Sequence, residues 1–259
     1  MTTPRQFMQT LQALAKLKVD LVPLPTQPEP VPSTLNHLLA NLGPLPREAL
    51  FLGMAHDGLP VLLNLHDPIP GPVLVTGDAS TGKTLLLQTI AHAITQTHAP
   101  SEVQFVVITS HAEEWQALNG SSHQVGLFSA QESAASELLL SLANWAHANK
   151  SAQSVVLLVD DFEVAAKMDA ETLNHLRWLL LRGPARRVWP VVTLHAARYG
   201  QVLGWLPLFR TRIFGRIQHV RVADALGGDV SAWEQLAAAR QFSLRENGGW
   251  LRFWVPAEG

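Results

Sequence analysis

Apolar and polar positions follow two different periods along this chain, and the changes of period predict its elements. Short runs of apolar and β-branched residues predict buried strands. They fall at 49–54, 61–65, 72–76, 103–109, 123–128, 155–159 and 188–194. Segments with apolar residues three or four positions apart predict helices. They fall at 33–42, 85–97, 132–149 and 168–181. The alternation predicts an α/β fold, a mostly parallel sheet with helices on both faces.

Two turn signals predict β-hairpins in addition to this alternating part. Asp57-Gly58 joins the first two predicted strands, and Asn247-Gly248 separates apolar runs at 241–245 and 249–255. We expect the second hairpin to complete an edge of the sheet. Ser33 is expected to cap the first helix of this region.

The first 32 residues have a pattern of their own. Residues 1–21 carry apolar side chains at helical spacing and predict a short amphipathic helix. Residues 22–32 contain five prolines, which favour an extended polyproline II linker. The helix docks on a protein partner or a neighbouring subunit, or it folds back onto its own domain. Residues 33–259 are expected to form one domain.

Composition narrows the class of protein. Of the 259 residues, 47% are hydrophobic and 15% are charged, which is typical of a globular protein. No apolar run reaches the roughly 18 to 20 residues that cross a bilayer, and residues 1–20 lack the features of a signal peptide, so we predict a cytoplasmic protein. Cysteine is absent, which excludes disulfides and thiol chemistry. A net charge of −2 gives no overall attraction to nucleic acid.

Eight residues between the strand at 72–76 and the helix at 85–97 match the phosphate-binding pattern G-x-x-x-x-G-K-[ST]. They are Gly77, Asp78, Ala79, Ser80, Thr81, Gly82, Lys83 and Thr84. Glycines allow backbone N–H groups to point at phosphate oxygens, and the helix start adds its positive dipole end. Lys83 is expected to hold the β- and γ-phosphates and Thr84 to supply a hydroxyl ligand to Mg²⁺. A chance Gly/Ser turn is the alternative, but the strand and helix on either side argue against it.

A second nucleotide signal is the apolar strand at 155–159, which ends in Asp160 and Asp161. A strand buried on both faces has no reason to finish in two carboxylates unless its end opens onto a polar site. Asp160 is expected to hold the Mg²⁺ hydration shell opposite Thr84, and Asp161 to orient the attacking water. Alternatively, both carboxylates only cap the next helix. The guanine-binding motif Asn-Lys-x-Asp is absent, which favours ATP over GTP.

The strand at 188–194 carries a weaker signal at its end. Ligands of open α/β sheets lie at the carboxyl ends of strands, so Thr193 or His195 could reach the γ-phosphate as a sensor. A histidine there could equally be an ordinary polar residue with satisfied hydrogen bonds.

Residues 177–223 contain nine arginines, no lysine and no acidic residue. Arginine favours bidentate contact with phosphate or carboxylate. Two interpretations compete, an arginine finger that reaches the ATP of a neighbouring subunit and a surface for a nucleic-acid backbone. A third is a general shortage of lysine, since the whole chain has five. That shortage does not explain the missing acids.

From about Leu50 to Pro256 the chain resembles the motor domain of the FtsK/HerA-like P-loop ATPases, which include DNA translocases and secretion or conjugation coupling ATPases. The resemblance rests on the phosphate loop together with the order of four other segments. These are the hairpin at 51–61, the acid-ended strand at 158–162, the Arg-rich turn at 180–187 and the run at 240–245. It implies a RecA-like core that forms a homo-oligomeric ring, a hexamer, and couples ATP hydrolysis to movement of double-stranded DNA or polypeptide. Arg182, Arg186 or Arg187 would then supply the trans arginine.

Departures from the family pattern suggest further hypotheses. Asp161 stands where the family usually has Glu, so the water-orienting carboxylate is one methylene short. His195 and the segment Thr109-Ser110-His111 also differ from the family. One alternative is a degenerate module that binds ATP to set oligomer shape and scarcely hydrolyses it. Another is a small-molecule phosphotransferase that uses arginines as a lid.

Overall fold

The computed structural model of the protein describes residues 34–234, 236–237, 239–246 and 248–257. The predicted helix at 1–21 and the linker at 22–32 lie outside the described residues. The described part contains ten strands. They are β1 (Ala49–Ala55), β2 (Pro60–Asn64), β3 (Val73–Gly77), β4 (Val103–Thr109), β5 (Gln124–Ser129), β6 (Ser154–Val159), β7 (Val188–His195), β8 (Thr211–Phe214), β9 (Gln241–Glu246) and β10 (Gly249–Trp254).

The ten strands form one sheet in the order β2-β1-β10-β9-β8-β3-β7-β6-β4-β5. Six of them, from β8 to β5 in this order, are parallel. The remaining four pair antiparallel, with β9 joined to β8. The parallel half matches the predicted α/β fold class, which is thereby confirmed. Because these six strands run the same way, their carboxyl ends share one edge of the sheet, called here the carboxyl edge.

Seven helices accompany the strands in the described part. They are α1 (Leu35–Leu42), α2 (Lys83–Thr97), α3 (Ser133–Ala148), α4 (Phe162–Ala165), α5 (Ala170–Arg182), α6 (Val220–Ala225) and α7 (Val230–Trp233). Shorter 3-10 helices span Ala112–Leu118, Pro184–Arg186, Ala196–Gln201 and Leu206–Leu208. The four predicted helices and all seven predicted strands of the alternating part occur within two residues of their predicted bounds.

Two large apolar clusters cover the two faces of the sheet. Along β3, Val73 and Val75 pack into the cluster that contains α2, whereas Leu74 packs into the cluster that contains α3 and α5. All five residues of β3 are buried, as expected for a strand in the middle of a parallel sheet. Helices on both faces thus fix β3 and the loop that follows it.

Strand β8 was missed by the sequence patterns, although it pairs directly with β3. Its four residues include Arg212, and a charged residue in a central strand breaks the apolar run that the prediction required. The Arg212 guanidinium is satisfied by backbone oxygens, donating to Leu206 O at 2.8 Å and Leu226 O at 2.6 Å. Burial lowers the pKa of Arg212. These contacts let an arginine occupy the strand.

Two smaller predictions were wrong in detail. The β9–β10 hairpin does not complete an edge of the sheet, because it lies between β8 and β1 and the edges are β2 and β5. The cap of α1 is Thr34, whose hydroxyl accepts from His37 N at 3.4 Å, and not Ser33. The first error has a physical reason, since strand order depends on long-range pairing that local patterns do not encode.

Candidate nucleotide-binding site

The loop from Gly77 to Thr84 begins at the carboxyl end of β3 and runs into the first turn of α2. Gly82 has φ 83°, in the left-handed region that favours glycine. A Cβ added at Gly77 would lie 2.7 Å from Thr81 Oγ1, so this position also requires glycine. Both pattern glycines therefore have a steric reason, and the loop tip at Ala79 and Ser80 is exposed.

Asp78 connects the phosphate loop to the segment after β8. Its backbone N–H donates to Arg216 O at 2.9 Å, and its carboxylate accepts from Gln218 N at 2.8 Å. Thr81 Oγ1 donates to Asp78 O at 3.0 Å inside the loop. The loop is thus held from within and from the neighbouring strand.

Lys83 lies inside the loop, where its Nζ donates to Asp78 O at 2.8 Å. Burial lowers the pKa of Lys83, whereas the nearby carboxylates of Asp160, Glu163, Asp161 and Asp78 oppose the shift. A half-buried ammonium with only a carbonyl acceptor has donors left for further acceptors, and phosphate oxygens suit it.

Asp160 is the centre of a hydrogen-bond network at the carboxyl edge. It is 2% exposed. Thr84 Oγ1 donates to its Oδ2 at 2.9 Å, and Thr193 Oγ1 donates to its Oδ1 at 2.6 Å. Burial raises the pKa of Asp160, and the two hydroxyl donors counteract this. The network joins β6, β7 and α2, and it brings together the two residues that the sequence analysis assigned to Mg²⁺.

Asp161 follows in a left-handed conformation, with φ 61°. Its N–H donates to Thr193 Oγ1 at 2.9 Å. Asp161 occupies the N-cap position of α4, but its side chain makes no capping hydrogen bond. Its carboxylate instead lies 3.7 Å from Nε2 of His111, which follows β4. The side chain is thus available for a role other than capping.

Thr193 and His195, the two sensor candidates, have different surroundings. Thr193 is fully buried and belongs to the Asp160 network. His195 Nδ1 accepts from Ala197 N at 3.2 Å, and so it caps the 3-10 helix after β7. The sensor role remains a prediction for both, and Thr193 has the geometry that connects it to the Mg²⁺ candidates.

Sequence reasoning missed a third carboxylate, Glu163, in the first turn of α4. Its side chain is 1% exposed and accepts from Arg198 Nη1 at 3.1 Å and from His195 N at 3.4 Å. Glu163 is close enough to Lys83 to oppose the lowering of the Lys83 pKa. The available signal was an acid inside an otherwise apolar turn that directly follows Asp160 and Asp161.

The nine arginines of residues 177–223 do not share one role. Four are engaged within the chain. Arg177 lies 4.5 Å from the centroid of the Trp205 ring, Arg187 pairs with Glu48 at 3.3 Å, Arg198 pairs with Glu163, and Arg212 binds backbone oxygens. The other five are exposed and make no ion pair with a described residue. They are Arg182, Arg186, Arg210, Arg216 and Arg221.

The candidate finger residues Arg186 and Arg187 lie before β7, at the edge opposite the phosphate loop. Arg187 also donates to Leu65 O at 3.4 Å. Neither arginine is near Lys83 of its own chain. A contact with the nucleotide of a second copy stays a prediction.

The described residues fit a nucleotide with Mg²⁺. The backbone path that the two pattern glycines allow, a half-buried lysine and a hydroxyl paired with a buried carboxylate match what a Mg-phosphate group needs. Among the residues that the structure describes, no cluster of three or more histidines or acids could hold a metal alone. A Mg²⁺ that keeps several waters and binds phosphate oxygens does not need such a cluster. This geometry is that of a P-loop nucleotide-binding site.

Sequence comparison with protein families supports this conclusion. Residues 59–193 match the AAA ATPase domain, which is 135 of the 259 residues. The chain therefore belongs to this family of ATPases. No curated protein sequence matches the chain. No helix within the described residues has the length and apolar character to span a bilayer.

Solved structures share the fold at low sequence identity. The cytoplasmic domain of the type VII secretion ATPase EccC from Thermomonospora curvata is 18% identical, with a TM-score of 0.66, over 83% of this chain and 27% of that chain. ATPases 2 and 3 of EssC from Geobacillus thermodenitrificans are 13% identical, with a TM-score of 0.67, over 92% of this chain and 49% of that chain. The pCW3 conjugation coupling protein TcpA is 12% identical, with a TM-score of 0.62, over 82% of this chain and 66% of TcpA.

This chain therefore spans well under two thirds of EccC and EssC. Together, the family match and the shared fold confirm the predicted resemblance to FtsK/HerA-like P-loop ATPases.

Proposed function

We propose that the domain hydrolyses ATP with Mg²⁺ and acts, as a ring of identical copies, to translocate double-stranded DNA. The observation that carries the first part is the network of Thr84, Asp160 and Thr193 beside Lys83. When bound, Mg²⁺ would neutralise charge on the phosphates. Thr84 and Asp160 would hold it, Lys83 would bind the β- and γ-phosphates, and Asp161 would orient water. We also place the domain in the cytoplasm, like the EccC domain that it matches.

Exposed arginines at the edge opposite the phosphate loop support DNA as the cargo. Arg182, Arg186 and Arg210 all precede parallel strands there and make no ion pair with a described residue. Arg210 also packs its side chain near Gly71. Unpaired arginines suit phosphate contacts, whose strength falls steeply with salt.

Steady-state ATP hydrolysis should therefore rise several-fold with long double-stranded DNA. Because released counterions drive such binding, the stimulation should fall sharply between roughly 50 and 200 mM salt. Arg210→Ala should weaken the stimulation, whereas Arg47→Ala should not, since Arg47 is already paired with Glu102 at 2.7 Å. A turnover rate insensitive to DNA would overturn the choice of cargo.

Polypeptide is the second candidate cargo, favoured by the fold shared with the secretion ATPases EccC and EssC. A rate of ATP hydrolysis that does not respond to DNA would favour polypeptide over DNA.

The trans arginine is proposed to come from Arg182, Arg186 or Arg187. Light scattering with ATP present tests the ring, since a monomer would favour a phosphotransferase instead.

A nucleotide-dependent assembly module is favoured by one observation, the short carboxylate of Asp161 in its left-handed conformation. Asp161→Glu separates it from a motor. In a motor whose water-orienting group is one methylene short, the longer side chain should raise turnover about ten-fold or more, because misplacement near 1 Å can cost about 10²-fold. Asp161→Asn, of equal size and without charge, should lower turnover. Unchanged rates in both variants, with ATP affinity intact, would support the assembly module.

A further inference from the structure

The segment before β9 passes directly against the phosphate loop. Because β9 is antiparallel to β8, its first residue lies at the carboxyl edge, where β3 ends. The backbone N–H of Arg240 donates to Thr81 O at 3.5 Å. A Cβ added at Gly82 would lie 3.1 Å from Arg240 N. Thus Arg240 is held beside the point where the loop becomes a helix.

The backbone of this segment is in an unfavourable conformation. Ala239 has φ 55° and Arg240 has φ 101°, both in the range that favours glycine. A side chain at such an angle is strained, and strained residues concentrate at ligand sites. Glycine would adopt the Arg240 conformation without this strain. An arginine at a strained position where glycine would be unstrained suggests that the arginine side chain has a functional role.

The Arg240 side chain has no partner within the part of the chain that the structure describes. It is half-buried and makes no hydrogen bond or ion pair with a described residue. Asp78, the acidic residue of the phosphate loop, accepts from Gln218 N and makes no ion pair with Arg240. An arginine whose backbone lies against a phosphate loop, and whose guanidinium donors make no hydrogen bond with a described residue, suits phosphate oxygens.

We propose that Arg240 binds the phosphates of the nucleotide held by its own chain. This rests on the proposed ATP site and adds a cis-acting cation to it. The same residue is tied to the β9–β10 hairpin, since Val255 N donates to Arg240 O at 2.8 Å. Nucleotide binding would therefore fix the end of this hairpin as well as the loop. Because Arg240 contacts Thr81 and Gly82 and takes no part in the Asp160 hydrogen-bond network, its contact should serve ADP and ATP alike.

The test is titration of the full chain with fluorescent ATP and ADP, together with thermal unfolding of the nucleotide-free protein. Arg240→Gly should weaken both nucleotides about ten-fold or more, the range expected for a hydrogen bond to a charged group. The same variant should unfold at an unchanged or higher temperature, because the strain is removed. Arg240→Lys should retain part of the affinity. Arg245→Ala, at the other end of β9, should bind like the wild type.

Different results in these titrations would contradict the role of Arg240 and the proposed ATP site separately. Wild-type affinity in Arg240→Gly, alongside loss of binding in Lys83→Ala, would overturn the role of Arg240 and leave the ATP site intact. Lower stability together with lower affinity in Arg240→Gly would assign it a structural role and also overturn the inference. No ATP binding by the wild type, or binding unaffected by Lys83→Ala, would remove the proposed function itself.

Discussion

Replacement of Lys83 by alanine is expected to lower ATP turnover about 10² to 10³-fold. The ammonium is half-buried in the loop, donates to Asp78 O at 2.8 Å and has several carboxylates around it. Removal of one preorganised donor to a developing negative charge costs about this much in other enzymes. The measurement is steady-state ATP hydrolysis at saturating Mg²⁺, accompanied by nucleotide titration.

Lys150→Ala is the matched control, because Lys150 is exposed on the segment after α3. It should hydrolyse ATP like the wild type. If Lys83→Ala kept more than about a tenth of the wild-type rate, Lys83 would not be the group that binds the phosphates during turnover. A contaminating ATPase would show the same rate in both variants.

Asp160→Asn is expected to lower Mg²⁺-dependent turnover strongly and yet to stabilise the nucleotide-free protein at neutral pH. Turnover should fall about 10² to 10³-fold, since the variant loses the charge opposite Thr84. The gain in stability has a separate cause. Burial raises the pKa of Asp160, which means that its charged form is unfavourable in the fold despite two hydroxyl donors.

The pH dependence follows from the direction of that shift. A carboxylate whose folded pKa lies above its unfolded pKa binds a proton more readily in the fold, so the wild type gains stability as pH falls through the folded pKa. Asp160→Asn lacks this gain. The difference in free energy of unfolding between variant and wild type should thus shrink from pH 7.5 to pH 5, as urea denaturation would measure.

Asp169→Asn is a useful control for this pH series. Asp169 caps α5 and accepts from Thr172 N and Thr172 Oγ1, and these bonds lower the pKa of Asp169. The direction of the pKa shift of Asp169 is therefore opposite to that of Asp160.

If Asp160→Asn were less stable than the wild type at pH 7.5, the hydrogen bonds from the Thr84 and Thr193 hydroxyls would outweigh the cost of burying the Asp160 charge.

The sequence predicted the phosphate loop and the elements on either side of it because that pattern is local. A phosphate loop needs glycines at fixed positions, a lysine and a hydroxyl residue within eight positions, and a strand before and a helix after it. Asp160 was found in the same way, as an acid that ends an apolar strand. Parallel strands then placed Thr84 and Asp160 at one edge, where they form a 2.9 Å hydrogen bond.

Partners brought together from distant parts of the chain were less visible. Glu163 gave only a weak signal, since its importance comes from Arg198 and from its proximity to Lys83. In the sequence, Arg240 was only the first residue of the run at 240–245, one of the segments that carry the family resemblance. Its position against Gly82 depends on the pairing of β9 with β8, a strand that the patterns missed. The nine arginines of residues 177–223 could not be told apart in the sequence. In the structure, four are engaged within the chain and five are exposed and make no ion pair with a described residue.

By itself the sequence determined the alternation of strands and helices, the phosphate loop and the acid-ended strand, because periodicity and short motifs act over a few residues. Only the tertiary structure decided the order of the ten strands, the pairing of Thr193 with Asp160 and the contact between Arg240 and the loop. The physical reason is that these contacts join residues tens to more than a hundred positions apart. Their formation depends on the packing of the whole sheet, which no local pattern records.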